Sequence, residues 1–267
     1  MTISVETRGR VRVVTIRRAA ARNAVNPETA RALYEAFQAF DVDEAVDVAI
    51  LTGEAGSFCA GFDLKSAATG AGQDWIADVQ IPDDWSNART RPLPGPMGPS
   101  RLMLTKPVIA AVEGYAVAGG IELAAWCDMR VAAETATFGV FCRRWGVPLI
   151  DGGTIRLPRI LGQGRANDLI LTGRPVGASE AFNMGLVDRI VPENQALAAA
   201  MQLAESLVPF PQACMRADHV SARMSGEKLA SALRREWRSY GTFLKEGQHG
   251  AARFAGGKGR GGDFADI

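Results

Sequence analysis

The fold is decided by the stretch Lys106-Pro107-Val108-Ile109-Ala110-Ala111-Val112-Glu113-Gly114-Tyr115-Ala116-Val117-Ala118-Gly119-Gly120-Ile121-Glu122-Leu123-Ala124. Its apolar, β-branched opening over 108–112 reads as a buried strand. A turn rich in small residues follows over 114–120, and a short helix is expected over 121–126. Small residues let a backbone approach a ligand, and the first N–H groups of a helix have no partner within it. Glu122 falls just inside that helix, in an apolar setting where a carboxylate is not simply solvated. The apolar run over 107–127 is interrupted by Glu113 and Glu122. A carboxylate at mid-bilayer costs roughly 2.5 to 3.5 kcal/mol on insertion scales, so the run reads as protein core.

Working outward, a further strand is expected over 128–132, and β-branched Val11 to Ile16 predicts another. Asn26-Pro27-Glu28 offers an N-cap, a proline at the first helical position and an early acid. Ala30, Leu33, Phe37 and Phe40 then mark one helical face. Residues 46–51 read as a buried strand closed by Thr52-Gly53. Strand, helix, strand favours parallel pairing through a crossover. A second small-residue turn, Ser57-Phe58-Cys59-Ala60-Gly61-Phe62-Asp63-Leu64-Lys65, follows this strand and opens a helical turn. Beyond 153 the pattern is mainly helical, with a short strand over 187–191 and helices over 193–207, 211–224 and 227–245. Residues 66–100 are irregular, and Arg91-Pro92-Leu93-Pro94-Gly95-Pro96-Met97-Gly98-Pro99 excludes a regular helix or central strand. That region reads either as a surface loop or as a wall over a pocket, carrying Trp75, Trp85 and Met97. The glycine-rich tail over 256–262 is expected to be mobile.

Composition narrows the classes of function. A net charge of +1 with scattered Lys and Arg gives no footprint for nucleic acid or an anionic membrane. The four cysteines form no C-x-x-C pair, and with only two histidines neither a zinc site nor a disulfide framework is expected. Reduced thiols and the absence of a signal-like start point to the cytoplasm. Leu161-Gly162-Gln163-Gly164-Arg165 lacks a third glycine and follows an expected helix, so it is no dinucleotide fingerprint. Phosphate-loop and G-x-S-x-G motifs are also missing from the sequence.

Two small-residue turns at strand-to-helix junctions can present two N–H groups to one oxygen, an oxyanion hole assisted by a helix dipole. Taken singly, each is equally a tight connection. Together, residues 57–65 and 106–124 resemble the enoyl-CoA hydratase/isomerase, or crotonase, family. The resemblance extends to Ala21-Arg22-Asn23-Ala24, Phe138-Gly139, Gly152-Gly153-Thr154, Arg156-Leu157-Pro158-Arg159, Leu171-Thr172-Gly173-Arg174, Ala178-Ser179-Glu180-Ala181 and Gly185-Leu186-Val187, in order along the chain. It implies an α/β fold, a spiral of ββα units over 1–195, followed by a helical C-terminal trimerisation region and tail over 196–267. It further implies an acyl-CoA thioester substrate, no metal or redox cofactor, and a homotrimer or a hexamer of paired trimers. The oxyanion amides then fall on Phe62 and Gly119. Ala60, Asp63, Leu64 and Lys65 would face CoA, with Arg22 and Ala24 near its nucleotide end. Position 118 is alanine where the family commonly has glycine.

Hydration needs groups that activate water and deliver a proton, usually paired carboxylates. Glu122 matches the first of the family's two glutamates; its other reading is a structural carboxylate held by backbone amides or an arginine. The second glutamate is missing, because the pattern over Phe138-Gly139-Val140-Phe141-Cys142 puts a thiol in its place. A cysteine with an ordinary pKa of about 8.5 is a poor substitute. Asp151 is the replacement expected here, lying next to a position where some relatives carry a catalytic aspartate. Asp151 before a helix is also a favoured N-cap, and both readings stand. The expected activity is hydration of a trans-2-enoyl-CoA to a 3-hydroxyacyl-CoA. Double-bond isomerisation, or acyl-CoA binding without chemistry, are the alternatives.

Overall fold

The computed structural model describes residues 1–68 and 71–259. Among the described residues, nine strands build two sheets. The larger takes β1 (Ile3–Arg8), β2 (Val11–Ile16), β3 (Val48–Gly53), β4 (Val108–Val112), β6 (Met129–Ala133) and β9 (Arg189–Val191), in the spatial order β1-β2-β3-β4-β6-β9. The smaller takes β5 (Tyr115–Val117), β7 (Thr137–Gly139) and β8 (Val176–Gly177). All neighbours from β2 to β9 in the large sheet are parallel, while β1 is an antiparallel edge reached through Gly9 at φ +59°. Each of two chain turns gives a strand to the large sheet, a second to the small sheet, and then a helix. Thus β4 and β5 lead to α4, and β6 and β7 lead to α5, which is the expected spiral of ββα units.

Alternate residues of the parallel strands are buried on opposite faces, as a sheet covered on both sides requires. Val14, Ile16, Ala49, Leu51, Ala110 and Val112 face the main core, which α1 (Pro27–Val42) closes with Leu33, Phe37 and Phe40. Val11, Val13, Val48, Ile50, Ile109 and Val131 face α8 (Ala196–Leu207). The predicted cap is present: the Asn26 side chain accepts from the Thr29 N–H, and Pro27 follows at the first helical position.

Further helices include α2 (Leu64–Ala68), α3 (Ala71–Asp78), α4 (Gly119–Trp126), α5 (Gly153–Leu161), α6 (Gln163–Thr172), α7 (Ala178–Asn183), α9 (Gln212–Ala222) and α10 (Gly226–Trp237). Three sequence expectations need adjusting. The strand over 46–51 starts instead at Val48, because Asp47 is buried and paired to Arg10 and Arg216. The helix over 193–207 starts at Ala196, because Asn194 takes φ +64° and the Glu113 carboxylate caps the amides of Asn194 and Ala196. The helix over 227–245 stops at Trp237, and a wider-wound segment, Phe243–Gly247, precedes a last helix, Gln248–Ala255. From residue 260 the glycine-rich tail lies outside the described residues.

Residues 66–100, expected to be irregular, include the helix Ala71–Asp78 and, although partly exposed, send three large side chains into the interior. Trp75, Trp85 and Met97 are all buried, and the two indole N–H groups donate to backbone carbonyls of Pro96 and Arg91 at 2.9 and 2.7 Å. Trp85 packs against Leu229, Ala230 and Leu233 of α10. The irregular segment is therefore a wall, clamped between the core and a C-terminal helix.

Candidate active site

The two small-residue turns meet. Cys59 donates to the Tyr115 carbonyl at 2.8 Å and accepts from the Val117 N–H at 3.1 Å, which sets residues 59–62 beside β5. On the other flank Val25 donates to the Gly61 carbonyl and Asp63 donates to the Val25 carbonyl, at 2.8 and 2.9 Å. In that parallel bridge the N–H of Phe62 points away from Val25. Gly119 is the first residue of α4, so its N–H has no acceptor within the helix. Neither N–H donates to another described residue. Gly61, at φ +95°, lies between them, and a Cβ built on it would stand 2.8 Å from the Gly119 nitrogen. The amides expected from sequence at Phe62 and Gly119 are thus brought together, with the positive end of α4 behind one of them. Ala118 is held at φ +53°, ψ −126° and donates to the Gly139 carbonyl at 2.8 Å. That conformation favours glycine, and alanine in it carries strain of order 1–3 kcal/mol.

Glu122 and Asp151 converge on the same turn. Both are buried. Glu122 Oε1 accepts from the N–H groups of Asp151 and Gly153, each at 2.9 Å. The structural role considered for Glu122 is therefore real, and it occupies one oxygen only. Oε2 has no hydrogen-bond partner among the described residues. Asp151 does not cap α5: the N-cap residue is Gly152, at φ +91°, with no side-chain cap bond. Its Oδ1 instead accepts from the Met97 N–H at 2.9 Å and from the Ser100 hydroxyl, and Oδ2 is left over. The N-cap reading of Asp151 falls. What remains is a carboxylate held by the wall, with one oxygen tied and one available.

Burial pushes the Glu122 carboxyl well above its ordinary range, and the charges of Asp151 and Glu236 push it further. Burial also raises Asp151, opposed by the bonds from Ser100 and Met97 and by Arg101. Cys142 lies close enough to feel the Glu122 charge, but burial drives its thiol up to about 12, so it stays neutral and weakly polar. Met97 joins the parts: its N–H bonds Asp151, and a Cβ on Gly119 would stand 2.7 Å from its sulfur. A cavity of about 260 Å³ behind α4, lined by Leu104, Trp126, Asp128, Arg156 and Arg223 among others, contains none of these four groups.

The remaining expected positions lie on two adjoining segments. Arg22 is exposed, with φ +50° and its guanidinium 5.7 Å over the Tyr115 ring, and its carbonyl accepts from the Ala60 N–H at 3.1 Å. The Ala24 carbonyl accepts from the Arg18 guanidinium. Asp63 holds the start of α2 through the Lys65 N–H at 3.0 Å and pairs with Arg18 at 2.8 Å, so its carboxylate is already engaged. Leu64 is half-buried and Lys65 is exposed. Sequence reasoning missed Ser100, Arg101 and Glu236. Nothing local marked them, since each acts from a distant part of the sequence on the 151–154 turn or beside it.

Comparison with known proteins shows which family the chain resembles along its length. The profile of the enoyl-CoA hydratase/isomerase family matches residues 6–258. Enoyl-CoA hydratase EchA19 of Mycobacterium tuberculosis is 41% identical over 210 residues, covering 76% of this chain and 73% of that protein. A probable enoyl-CoA hydratase of Rhizobium meliloti is 39% identical over 95% of this chain and 94% of its own length. The crystal structure of a carnitinyl-CoA hydratase from Mycobacterium avium superposes with a TM-score of 0.80 at 29% identity, over 96% of this chain and 95% of that one.

Proposed function

The chain belongs to the enoyl-CoA hydratase/isomerase family, and from that premise we propose that it adds water across the double bond of a trans-2-enoyl-CoA. What supports this reading is two N–H groups without protein acceptors, on adjoining turns, together with two buried carboxylates that each leave one oxygen free of hydrogen bonds. The thioester oxygen sits between the N–H groups of Phe62 and Gly119. As a water oxygen bonds to the β carbon, the π electrons move to the carbonyl, and negative charge grows on that oxygen. A water proton passes to one carboxylate, and a carboxylic acid returns a proton to the α carbon, giving the 3-hydroxyacyl-CoA. Burial raises both carboxyl groups above their ordinary range, and the charge of Asp151 raises Glu122 further, which suits them to take and return protons. Glu122 is the principal acid or base, and Asp151 stands in for the missing glutamate at position 142.

The scheme asks for no redox group, because hydration is redox-neutral, and for no metal, because the two N–H donors polarise the carbonyl and the carboxylates handle the protons. CoA runs along residues 22–24 and 60–65. The reading carries with it a homotrimer, or a hexamer of two paired trimers, in the cytoplasm. No described helix is long and apolar enough to cross a membrane, and the four cysteines are unpaired. The test is loss of conjugated-thioester absorbance when purified protein meets trans-2-enoyl-CoA esters of graded chain length, with α-proton exchange followed in deuterated water. Hydration is expected. Double-bond migration or exchange without hydration would make the protein an isomerase, and tight binding with neither would make it a binder only.

A further inference from the structure

The 151–154 turn is gripped from two sides. Its odd-numbered amides, Asp151 and Gly153, donate to Glu122 Oε1. Its even-numbered amides donate to Glu236: Gly152 to Oε2 at 2.7 Å and Thr154 to Oε1 at 2.9 Å, with the Thr154 hydroxyl adding a bond at 2.7 Å to Oε1. Glu236 comes from α10, more than 80 residues away in sequence, and is 6% exposed. It sits in the last turn of α10, the negative end of a helix dipole, where a carboxylate does not stabilise its own helix. It faces the start of α5, where a carboxylate is favoured. Its neighbour Trp237 donates to Gln80 Oε1 at 2.9 Å and lies under the Arg101 guanidinium at 4.4 Å. The last turn of α10 is thereby fixed to the wall that also holds Asp151.

We infer that Glu236 is a positioning residue for the hydration chemistry, clamping the 151–154 turn from the side opposite Glu122 so that α10 sets the aim of both catalytic carboxylates. The inference rests on the reading of Glu122 as acid or base. It requires no contact between Glu236 and substrate. Glu236 also belongs to the charged group around Glu122: when ionised it raises Glu122, and burial raises its own carboxyl above the ordinary range. That group comprises Asp151 and Arg156 on the turn and α5, Cys142 on the segment Phe141–Trp145, Arg101 on the wall, and Glu236 on α10.

The two glutamates can be separated by amide substitution. In Glu122→Gln one amide oxygen can keep both turn bonds, because both use Oε1. In Glu236→Gln the turn must lose an acceptor, because Oε1 and Oε2 are both used. The experiment measures kcat, KM and the pH profile of hydration for wild type, Glu236→Gln and Thr154→Val, per folded protein, with Glu122→Gln alongside. The expected result for Glu236→Gln is a fall in kcat of about 10- to 100-fold with KM within about threefold, the range of outer-shell losses. The pH limb belonging to the carboxylate pair should also move to lower pH by roughly half a unit or more. Thr154→Val, which removes one bond and leaves the charge, should lower kcat a few-fold without moving the limb, and it keeps the test alive if Glu236→Gln does not fold. A variant at 236 with wild-type kcat and pH limb, whatever its melting temperature, overturns the clamp and leaves the role of Glu122 intact. Hydration surviving in Glu122→Gln overturns the underlying reading and the clamp with it.

Discussion

Replacing Gly61 by alanine tests the oxyanion geometry without changing either donor residue. At φ +95° a side chain is strained by about 1–2 kcal/mol. The added methyl would stand 2.8 Å from the Gly119 nitrogen, 2.8 Å from the Ala118 Cβ and 3.2 Å from the Val117 carbonyl. Two of those three are backbone atoms, so the neighbours cannot turn aside and the two turns must separate. An oxyanion needs its donors at about 2.7–3.1 Å, and losing one donor costs about 2.7–4 kcal/mol, or 10²–10³ in kcat. Hydration of a trans-2-enoyl-CoA by Gly61→Ala should therefore fall about 100- to 1,000-fold in kcat. Unfolding in urea should report a folded protein weakened by the strain alone. Affinity for free CoA, which has no thioester carbonyl, should change little. A folded Gly61→Ala variant with kcat within threefold of wild type would refute the claim that these two amides polarise the thioester.

At Gly119 the same methyl meets the Met97 thioether, the movable end of a flexible side chain, so Gly119→Ala should cost no more than about tenfold in the same assay. Asp151→Asn keeps an oxygen for the Met97 N–H and the Ser100 hydroxyl while removing the titratable group. Hydration should drop about 10²- to 10⁴-fold with the melting temperature little changed, and an active variant would return Asp151 to a structural role. Cys142→Ala should leave the pH profile of hydration where it is, because a thiol pushed up to about 12 is neutral throughout the working range. Because the Glu122 carboxyl is raised in the folded state, its contribution to stability is complete below its unfolded value near 4.5 and is lost as pH rises toward the folded value. Urea unfolding from pH 5 to 9 should accordingly show Glu122→Gln gaining stability relative to wild type as pH increases.

Much of this was legible because it is local. The strand, turn and helix over 108–126 follow from Val108 to Val112, Gly114 and Gly119, and the Asn26-Pro27 cap behaves as its chemistry dictates. The convergence of Phe62 and Gly119 came from the likeness of two turns to a family. Either turn alone reads as a tight connection. What the sequence concealed are long-range commitments. The edge strand β1 is mostly exposed and carries little apolar signal. Asp151 precedes a helix and so looks like a cap, yet Glu122 and Glu236 take the turn's amides and free it. The proline-rich wall has no periodicity to read, because its order comes from Trp75, Trp85 and Arg101 bonding to carbonyls of the wall itself.

The central claim is that Glu122, beside two N–H donors, moves the proton that hydration requires. Glu122→Gln preserves the acceptor for Asp151 and Gly153 and removes only the exchangeable carboxyl. The direct measurement is single-turnover hydration of a trans-2-enoyl-CoA by this variant, with the dissociation constant of the same thioester determined alongside. Loss of hydration by at least about 1,000-fold with binding within threefold of wild type is the expected result. Hydration within tenfold of wild type would contradict it.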